Sequence, residues 1–333
     1  MTAVGAEPLL RVEDLRIVFA SRRGELVAVD GVSFAIARGE VLGLVGESGA
    51  GKSVTGAAII GLLDPPGRIA GGRILFEGAR IDHLPEEELR RLRGRRIGAV
   101  FQDPLTALNP LYTIGRQLVE TMRTHLDIGA AEARGRALRL LKEVGIPAAE
   151  RRFDAYPHEL SGGMRQRVVI ALALAADPAL VIADEPTTAL DVSIQAQIIA
   201  LLKRLCQERG TAVLLITHDM GVIAGAADRV AVMYAGRIVE IGPVAEVLLA
   251  PKHPYTVGLM GSIPPLGRKV ERLMQIEGSM PRLHEIPPGC AFHPRCPHMR
   301  PRCREARPEP VTVGPGHHAA CWLFAEEGPD GRA

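Results

Sequence analysis

Gly46-Glu47-Ser48-Gly49-Ala50-Gly51-Lys52-Ser53 is the stretch on which the reading of this chain turns. It fits the pattern G-x-x-x-x-G-K-[ST]. It follows the apolar run Val41-Leu42-Gly43-Leu44-Val45 and precedes a helical segment, the context in which that pattern has mechanical meaning. A nearly all-apolar run of this kind suits a strand buried on both faces of a parallel sheet. The glycines let backbone N–H groups wrap an anion, and the helix N-terminus adds partial positive charge. Lys52 can then reach the β- and γ-phosphates of a nucleotide, and Ser53 offers a hydroxyl to Mg²⁺. The stretch predicts a P-loop NTPase of the α/β class.

Working outward, residues up to about 40 alternate apolar and polar (Leu15-Arg16-Ile17-Val18-Phe19, Val32-Ser33-Phe34-Ala35-Ile36) and read as antiparallel β. Lys52 to Leu63 reads as a helix stopped by Asp64-Pro65-Pro66, and a second β segment covers Gly72–Phe76 and Ile97–Phe101. From Thr113 to about Pro157 the periodicity is helical, with Ala137, Leu138, Leu140, Leu141 and Val144 at helix spacing. Thereafter β and α alternate: strand Leu180–Ala183, helix Val192–Arg209, strand Ala212–Thr217. That order implies a parallel core sheet interrupted by a helical insertion at about 103–165. Beyond Pro251 proline, arginine, histidine and cysteine accumulate and apolar periodicity fades. A boundary is expected there, giving an ATPase domain at 1–250 and a small Cys-rich extension at 251–333.

Several polar groups cluster at the ends of these elements. Asp184-Glu185 closes an apolar strand, where α/β sheets place ligands. Asp184 suits Mg²⁺, through water, and Glu185 suits polarising an attacking water. The plain alternative is a helix cap. His218 closes the strand before it and can approach the same phosphates, or serve only structurally. Leu160-Ser161-Gly162-Gly163-Met164-Arg165-Gln166 opens a helix whose face carries Met164, Val168, Ala171 and Leu172. It is either a second anion site or an ordinary N-cap.

The bulk numbers narrow the class. Lys+Arg is 40 against Asp+Glu 38 in 333 residues, too balanced for a nucleic-acid footprint. No apolar run reaches membrane-spanning length, since Val168–Ala183 is cut by Asp177-Pro178. The first residues lack a basic start and apolar core, so no signal peptide is expected and the cytoplasm is the expected compartment.

Taken together, the glycine-rich loop, Gln102 after a strand, Leu160–Gln166, Asp184-Glu185, Ala189-Leu190-Asp191 and His218 resemble the ATP-binding subunit of an ABC transporter, in order and approximate spacing. The resemblance spans nearly the whole chain and implies the ABC cassette fold. It implies a head-to-tail dimer, with ATP between the loop of one chain (Gly46, Glu47, Ser48, Gly49, Ala50, Gly51, Lys52, Ser53, Val54) and Ser161, Gly162 and Gly163 of the other. Under it Gln102 senses Mg²⁺ and the γ-phosphate, Asp191 couples the two sites, and His218 contacts the γ-phosphate. Phe19 matches the aromatic that stacks on adenine, or is a core residue of an edge strand. Within the family, Gly46-Glu47-Ser48, Ser53-Val54, Tyr156-Pro157-His158-Glu159-Leu160, His253-Pro254-Tyr255-Thr256 and Pro287–Cys296 resemble the dipeptide/oligopeptide importer ATPases.

That resemblance implies two membrane-spanning permease subunits, a second ABC ATPase or another copy as partner, and, indirectly, an extracytoplasmic substrate-binding protein. It places the chain at the cytoplasmic face of the plasma membrane, with docking expected at Asp103–Tyr112. Alternatives are an ABC ATPase acting on DNA or ribosomes, which usually carries two cassettes or a coiled-coil insertion, an exporter ATPase, and an importer ATPase for nickel or glutathione.

Four of the five cysteines, Cys290, Cys296, Cys303 and Cys321, lie in the tail. In a reducing compartment their clustering suits metal, although the spacing lacks close C-x2-C knuckles. A [4Fe–4S] cluster is expected, and members of the resembled group carry one in this region. Zinc with Cys and one of His293, His298, His317 or His318 is the rival, and four unliganded cysteines the plain alternative. Cys206, among Leu201, Leu202 and Leu205, reads as core.

Overall fold

Two sheets organise the chain, and the hydrophobic pattern assigns each strand to one of them. The computed structural model describes residues 7–22, 24–188, 190–262 and 275–325. The N-terminal alternation folds as β1 (Leu10–Ser21) and β2 (Gly24–Ile36), and the buried run after it as β3 (Val41–Val45). β4 (Gly67–Phe76) and β5 (Ala79–Arg80) complete a four-stranded antiparallel sheet of order β2-β1-β4-β5. The larger sheet takes β6 (Ile97–Val100), β7 (Leu180–Asp184), β8 (Ala212–Thr217), β9 (Arg229–Tyr234), β10 (Arg237–Pro243), β11 (Val311–Gly314) and β12 (His317–Ala319). With β3 these run in the order β11-β12-β10-β9-β3-β8-β7-β6.

Alternation along the central strands explains why they are apolar throughout. Val41 and Val45 of β3, Val181 and Ala183 of β7, and Val213 and Leu215 of β8 enter the core shared with the helices. Leu42 and Leu44, Leu180 and Ile182, and Leu214 and Ile216 enter the core shared with the antiparallel sheet. A strand covered on both faces has no polar side to show.

Three expectations are corrected. The core sheet is mixed: β6, β7, β8, β3 and β9 are parallel, whereas β9–β10, β10–β12 and β12–β11 are antiparallel. The reason for the reversal at β9–β10 is local. Ala235 (φ 45°) and Gly236 (φ 80°) form a two-residue hairpin, which can only reverse a strand. The two pieces of the second β segment separate, β4 to the antiparallel sheet and β6 to the edge of the large one. The helix from Lys52 ends at Ile59 rather than Leu63, and Gly61 (φ 63°) follows in the left-handed conformation.

The helical insertion is built from Pro104–Ala107, Ile114–His125, Ala130–Glu143 and Ala149–Arg152, leading into the helix Gly162–Leu174. Ala137, Leu140, Leu141 and Val144 are buried as their spacing requires. Among the described residues no helix is long and apolar enough to cross a membrane.

Beyond residue 251 the chain folds back onto the large sheet. β12 pairs with β10 through Glu240↔Ala319 and Ile241↔His318. The fully buried Glu240 carboxylate accepts the backbone N–H groups of Lys252 and His253, each at 2.8 Å, and meets His317 Nε2 at 2.7 Å. His253 Nδ1 then accepts from Tyr255 N at 3.1 Å, capping the helix Pro254–Gly261. Burial pushes the His253 imidazole down to about 3, so it stays neutral and free to accept. Its folded-state value lies below the ordinary histidine value, so the unfolded chain binds the extra proton. The stability this group contributes is therefore present above about pH 6.5 and is lost progressively as pH falls toward 3. Chemical denaturation of wild type and His253→Asn, from about pH 7.5 down to about pH 5, should show the wild type's advantage shrinking as pH falls. A difference independent of pH would refute the buried neutral imidazole.

Candidate active site

Parallel pairing brings the carboxyl ends of β6, β3, β8 and β7 to one edge, since Val45 lies beside Thr217 and Asp184 beside Ile216. Each strand's next residues therefore enter the same space, a cavity of about 890 Å³. From β3 come Gly46, Glu47, Ser48, Gly49 and Gly51 of the loop, then Lys52, Ser53 and Val54 of the helix it opens. Gln102, Glu185 and His218 line the facing wall, and Phe19 stands on the side of the antiparallel sheet. Ala50 is fully buried beneath the loop and does not line the cavity.

Two glycines are obligatory by geometry. A Cβ on Gly46 (φ 152°) would lie 2.2 Å from the Met233 carbonyl oxygen, and one on Gly51 (φ 101°) would lie 2.9 Å from that of Ala28. The loop is pressed against β2 and β9 so closely that no side chain fits.

Lys52 is 5% exposed, and its Nζ donates to the carbonyls of Gly46 (2.8 Å) and Glu47 (3.0 Å). Burial pushes its pKa down, opposed by Glu185, Asp184 and Glu47. The ammonium thus sits within the loop that it would share with a bound phosphate. Ser53 Oγ donates to Asp184 Oδ1 at 3.0 Å, a hydroxyl and a carboxylate side by side. Burial raises the Asp184 pKa, with Glu185 adding to the rise, while the Ser53 hydrogen bond and Lys52 oppose it. These are hard oxygen donors of the kind that Mg²⁺ takes beside nucleotide phosphates, so the pair fits that ion.

Glu185 is the best-held group of the site. Thr188 Oγ1 donates to its Oε2 at 2.8 Å, Gln102 Nε2 donates to the same oxygen at 3.1 Å, and His218 Nδ1 lies 3.1 Å from Oε1. Burial alone would raise its pKa, but Thr188, His218 and Lys52 outweigh it and hold the carboxyl below the ordinary value. Its backbone φ of 45° is the left-handed conformation on a non-glycine residue, which turns the side chain off the strand line toward the cavity. A carboxylate kept ionised and fixed by three donors can orient a water and accept its proton.

Other expected residues lie apart from this cavity. Ser161 caps the helix Gly162–Leu174 by accepting from Met164 N at 3.4 Å; neither it nor Gly162 or Gly163 lines the cavity. Asp191 is the exposed N-cap residue of the helix Val192–Arg209, and Ala189 lies outside the described residues.

Sequence reasoning missed Thr188, and it quoted Tyr255 and Arg295 only within subfamily stretches, without their place at the site. The Glu47 N–H donates to Tyr255 Oη at 2.9 Å, and Arg295 Nη1 donates to Glu47 Oε1 and Oε2 at 3.0 and 3.2 Å. These partners are 208 and 248 positions away, and no local spacing signals them.

Cys290, Cys296, Cys303 and Cys321 all line one small separate cavity, together with His293 and His298. Burial pushes the Cys290 thiol up to about 11, with the other three thiols adding to the rise, and also raises Cys296 and Cys321. His317 and His318 do not line this cavity; His317 Nε2 meets Glu240 and His318 Nδ1 lies 3.3 Å from Thr312 Oγ1. Among the described residues no three His, Cys, Asp or Glu side chains converge on a position for a single metal ion. Cys206 is buried in the core.

Residues 29–188 match the family described as ABC transporter, and residues 239–303 match the one described as Oligopeptide/dipeptide transporter, C-terminal region. The Oligopeptide transport ATP-binding protein OppD of Salmonella typhimurium is 48% identical over 322 residues, which cover 97% of this chain and 96% of the relative. This chain belongs to the oligopeptide-type ABC transporter ATP-binding family. AppD of Bacillus subtilis is 47% identical over 97% of the chain and 98% of its own length. Among solved structures, the dimeric ATP-binding cassette MJ0796 bound to ADP and Pi superposes with a TM-score of 0.64 at 30% identity, covering 98% of that cassette and 71% of this chain. CbiO1 of Clostridium perfringens gives 0.63 at 32% identity, over 92% of its length and 74% of this chain.

For an ABC ATPase built this way, Glu185→Gln should lower steady-state ATP hydrolysis by about 10²–10⁴-fold while ATP binding is retained, as turnover and equilibrium nucleotide binding would measure. Hydrolysis at the wild-type rate would remove Glu185 from the role of base.

Proposed function

We propose that this chain is the ATP-hydrolysing subunit of an ABC importer for dipeptides or oligopeptides, held peripherally at the cytoplasmic face of the plasma membrane. The observation that carries the reading is a site furnished in halves. Loop, Gln102, Glu185 and His218 share one cavity, whereas the Ser161–Gly163 helix opening stands outside it. ATP would lie between the loop of one cassette and Ser161 and Gly163 of a second, whether another copy or a sister ATPase. Phe19 would stack on adenine, and the loop amides with Lys52 and Ser53 would hold the phosphates. Bound Mg²⁺ would neutralise charge on the β- and γ-phosphates at Ser53 and Asp184, with Gln102 nearby. Glu185 would take the proton of the attacking water, His218 would contact the γ-phosphate, and Asp191 would link the two sites.

The domain assignment we favour is a cassette at 1–250, its insertion at about 103–165, and an extension at 251–333. The surface offered to permease subunits is the start of the insertion. Leu105 and Leu111 there are 57% and 78% exposed, apolar side chains without cover. A substrate-binding protein would act on the far side of the membrane, through the permeases. Aspartate at Leu105 and Leu111 should abolish peptide uptake by whole cells while the purified chain keeps its ATPase activity. Uptake at the wild-type rate would move the docking surface elsewhere. Tagged Glu185→Gln, recovered from gently solubilised membranes with ATP, should bring two multi-span proteins and a second cassette. Recovery with ribosomes or DNA would overturn the transport reading.

We read the four tail cysteines as ligands of an iron–sulfur cluster that would staple a segment with little apolar core of its own. What supports this reading is that all four thiols line one small cavity. Anaerobically purified chain should contain iron and acid-labile sulfide in equal amounts, and Cys303→Ser should lose both. Zinc, or neither element, would refute the assignment.

A further inference from the structure

We infer that Arg295 is a positioning residue for ATP use: from the cysteine-bearing loop it grips Glu47 and, with Tyr255, sets the conformation of the phosphate-binding loop. This rests on the reading of the main cavity as the ATP site. Three observations carry it. First, Glu47 is the second residue of the loop, and a bare carboxylate there would oppose an incoming triphosphate. Arg295 meets both its oxygens, at 3.0 and 3.2 Å.

Second, the Arg295 side chain is only 8% exposed, and its other donors are consumed by structure rather than water. Nε donates to the Glu277 carbonyl at 2.9 Å, and Nη2 donates to the carbonyls of Gly278 (3.3 Å) and Ile276 (3.4 Å). The fork is thereby fixed before it reaches Glu47. Third, the Glu47 N–H is already given to Tyr255 Oη, so this amide holds the loop instead of facing the cavity. Tyr234 packs edge to face on Tyr255 and on Phe292, and Tyr255 lies tilted against Phe292, with ring centroids 4.7 to 5.4 Å apart, a packed aromatic support behind both contacts. Arg295 adjoins Cys296, so the segment beyond residue 251 reaches the phosphate loop through two side chains, Tyr255 on its backbone and Arg295 on Glu47.

Arg295 and Tyr255 bond Glu47, and neither bonds Glu185 or the three side chains, Thr188, Gln102 and His218, that hydrogen-bond it. Their loss should therefore act on nucleotide affinity more than on the chemical step. In the purified full-length chain, Arg295→Gln should raise the KM for ATP by about tenfold, as expected for loss of a charge-assisted contact, with kcat at saturating ATP close to wild type. Arg295→Lys should restore part of the loss, because the charge is kept and the fork is not. Tyr255→Phe deletes one hydroxyl, which bonds the Glu47 N–H, and keeps the ring's packing; it should raise KM in the same direction, which keeps the test valid if Arg295→Gln fails to fold. Glu47→Gln combined with Arg295→Gln should fall short of the sum of the single effects.

Wild-type KM in both Arg295→Gln and Tyr255→Phe, a fall in kcat alone, or strict additivity in the double variant would each overturn the proposal. Lys52→Ala separates the two levels. If it abolishes ATP hydrolysis while Arg295→Gln and Tyr255→Phe match wild type, the ATP site stands and the clamp falls. If wild type itself neither binds nor hydrolyses ATP, the reading of the cavity falls first.

Discussion

The parallel alignment of β6, β7, β8 and β3 is the constraint on which everything else depends. Parallel strands end on the same edge, and the register sets Val45 beside Thr217 and Asp184 beside Ile216 there. Each strand then releases its next residues into a common space: the glycine-rich loop from β3, Glu185 from β7, His218 from β8. Buried on both faces, these strands are held from either side by separate cores. The polar machinery sits at the rim of the most rigid part of the molecule, which suits groups that must be placed to within a fraction of an ångström.

At that rim electrostatics are finely divided. Lys52 is buried against loop carbonyls, and Asp184 and Glu185 face it, one shifted up by burial and the other held down by Thr188, His218 and Lys52. Two adjacent carboxylates thus carry different tendencies. On the proposed reading Asp184, beside the Ser53 hydroxyl, would serve as an ion ligand, and Glu185, among its hydrogen-bond donors, as the base. The Ser161–Gly163 helix opening, outside this cavity, is what a symmetric head-to-tail pair of cassettes would need from the partner copy.

The extension is attached by buried polar contacts as much as by packing. Glu240, with His317 and the backbone of Lys252 and His253, ties it to β10, and Arg295 with Tyr255 ties it to the loop that handles phosphate. Sheet edge, helix cap and cysteine cavity are therefore parts of one connected arrangement around the end of β9.

Much of this was legible in the residues. The glycine-rich loop, the buried strand before it and the polar residues at later strand ends could be read because their meaning is local: spacing, periodicity and a strand end suffice. Ala137, Leu140 and Leu141 disclosed their buried face in the same way. The hairpin at Ala235-Gly236, which makes the sheet mixed, escaped because nothing marks a strand as antiparallel until its turn is seen. Zinc ligation through His317 or His318 was open in the sequence; in the fold neither imidazole lines the cysteine cavity, and one meets Glu240 and the other Thr312. By itself the sequence determined the ABC cassette family and its ATPase class, and pointed to polar residues at the strand ends, since those depend on short, contiguous patterns. Only the tertiary structure decided that Thr188 steadies Glu185, and that Tyr255 and Arg295 reach Glu47 across more than two hundred residues. Such contacts are set by where a sheet brings distant segments together, and a linear pattern carries no record of that distance.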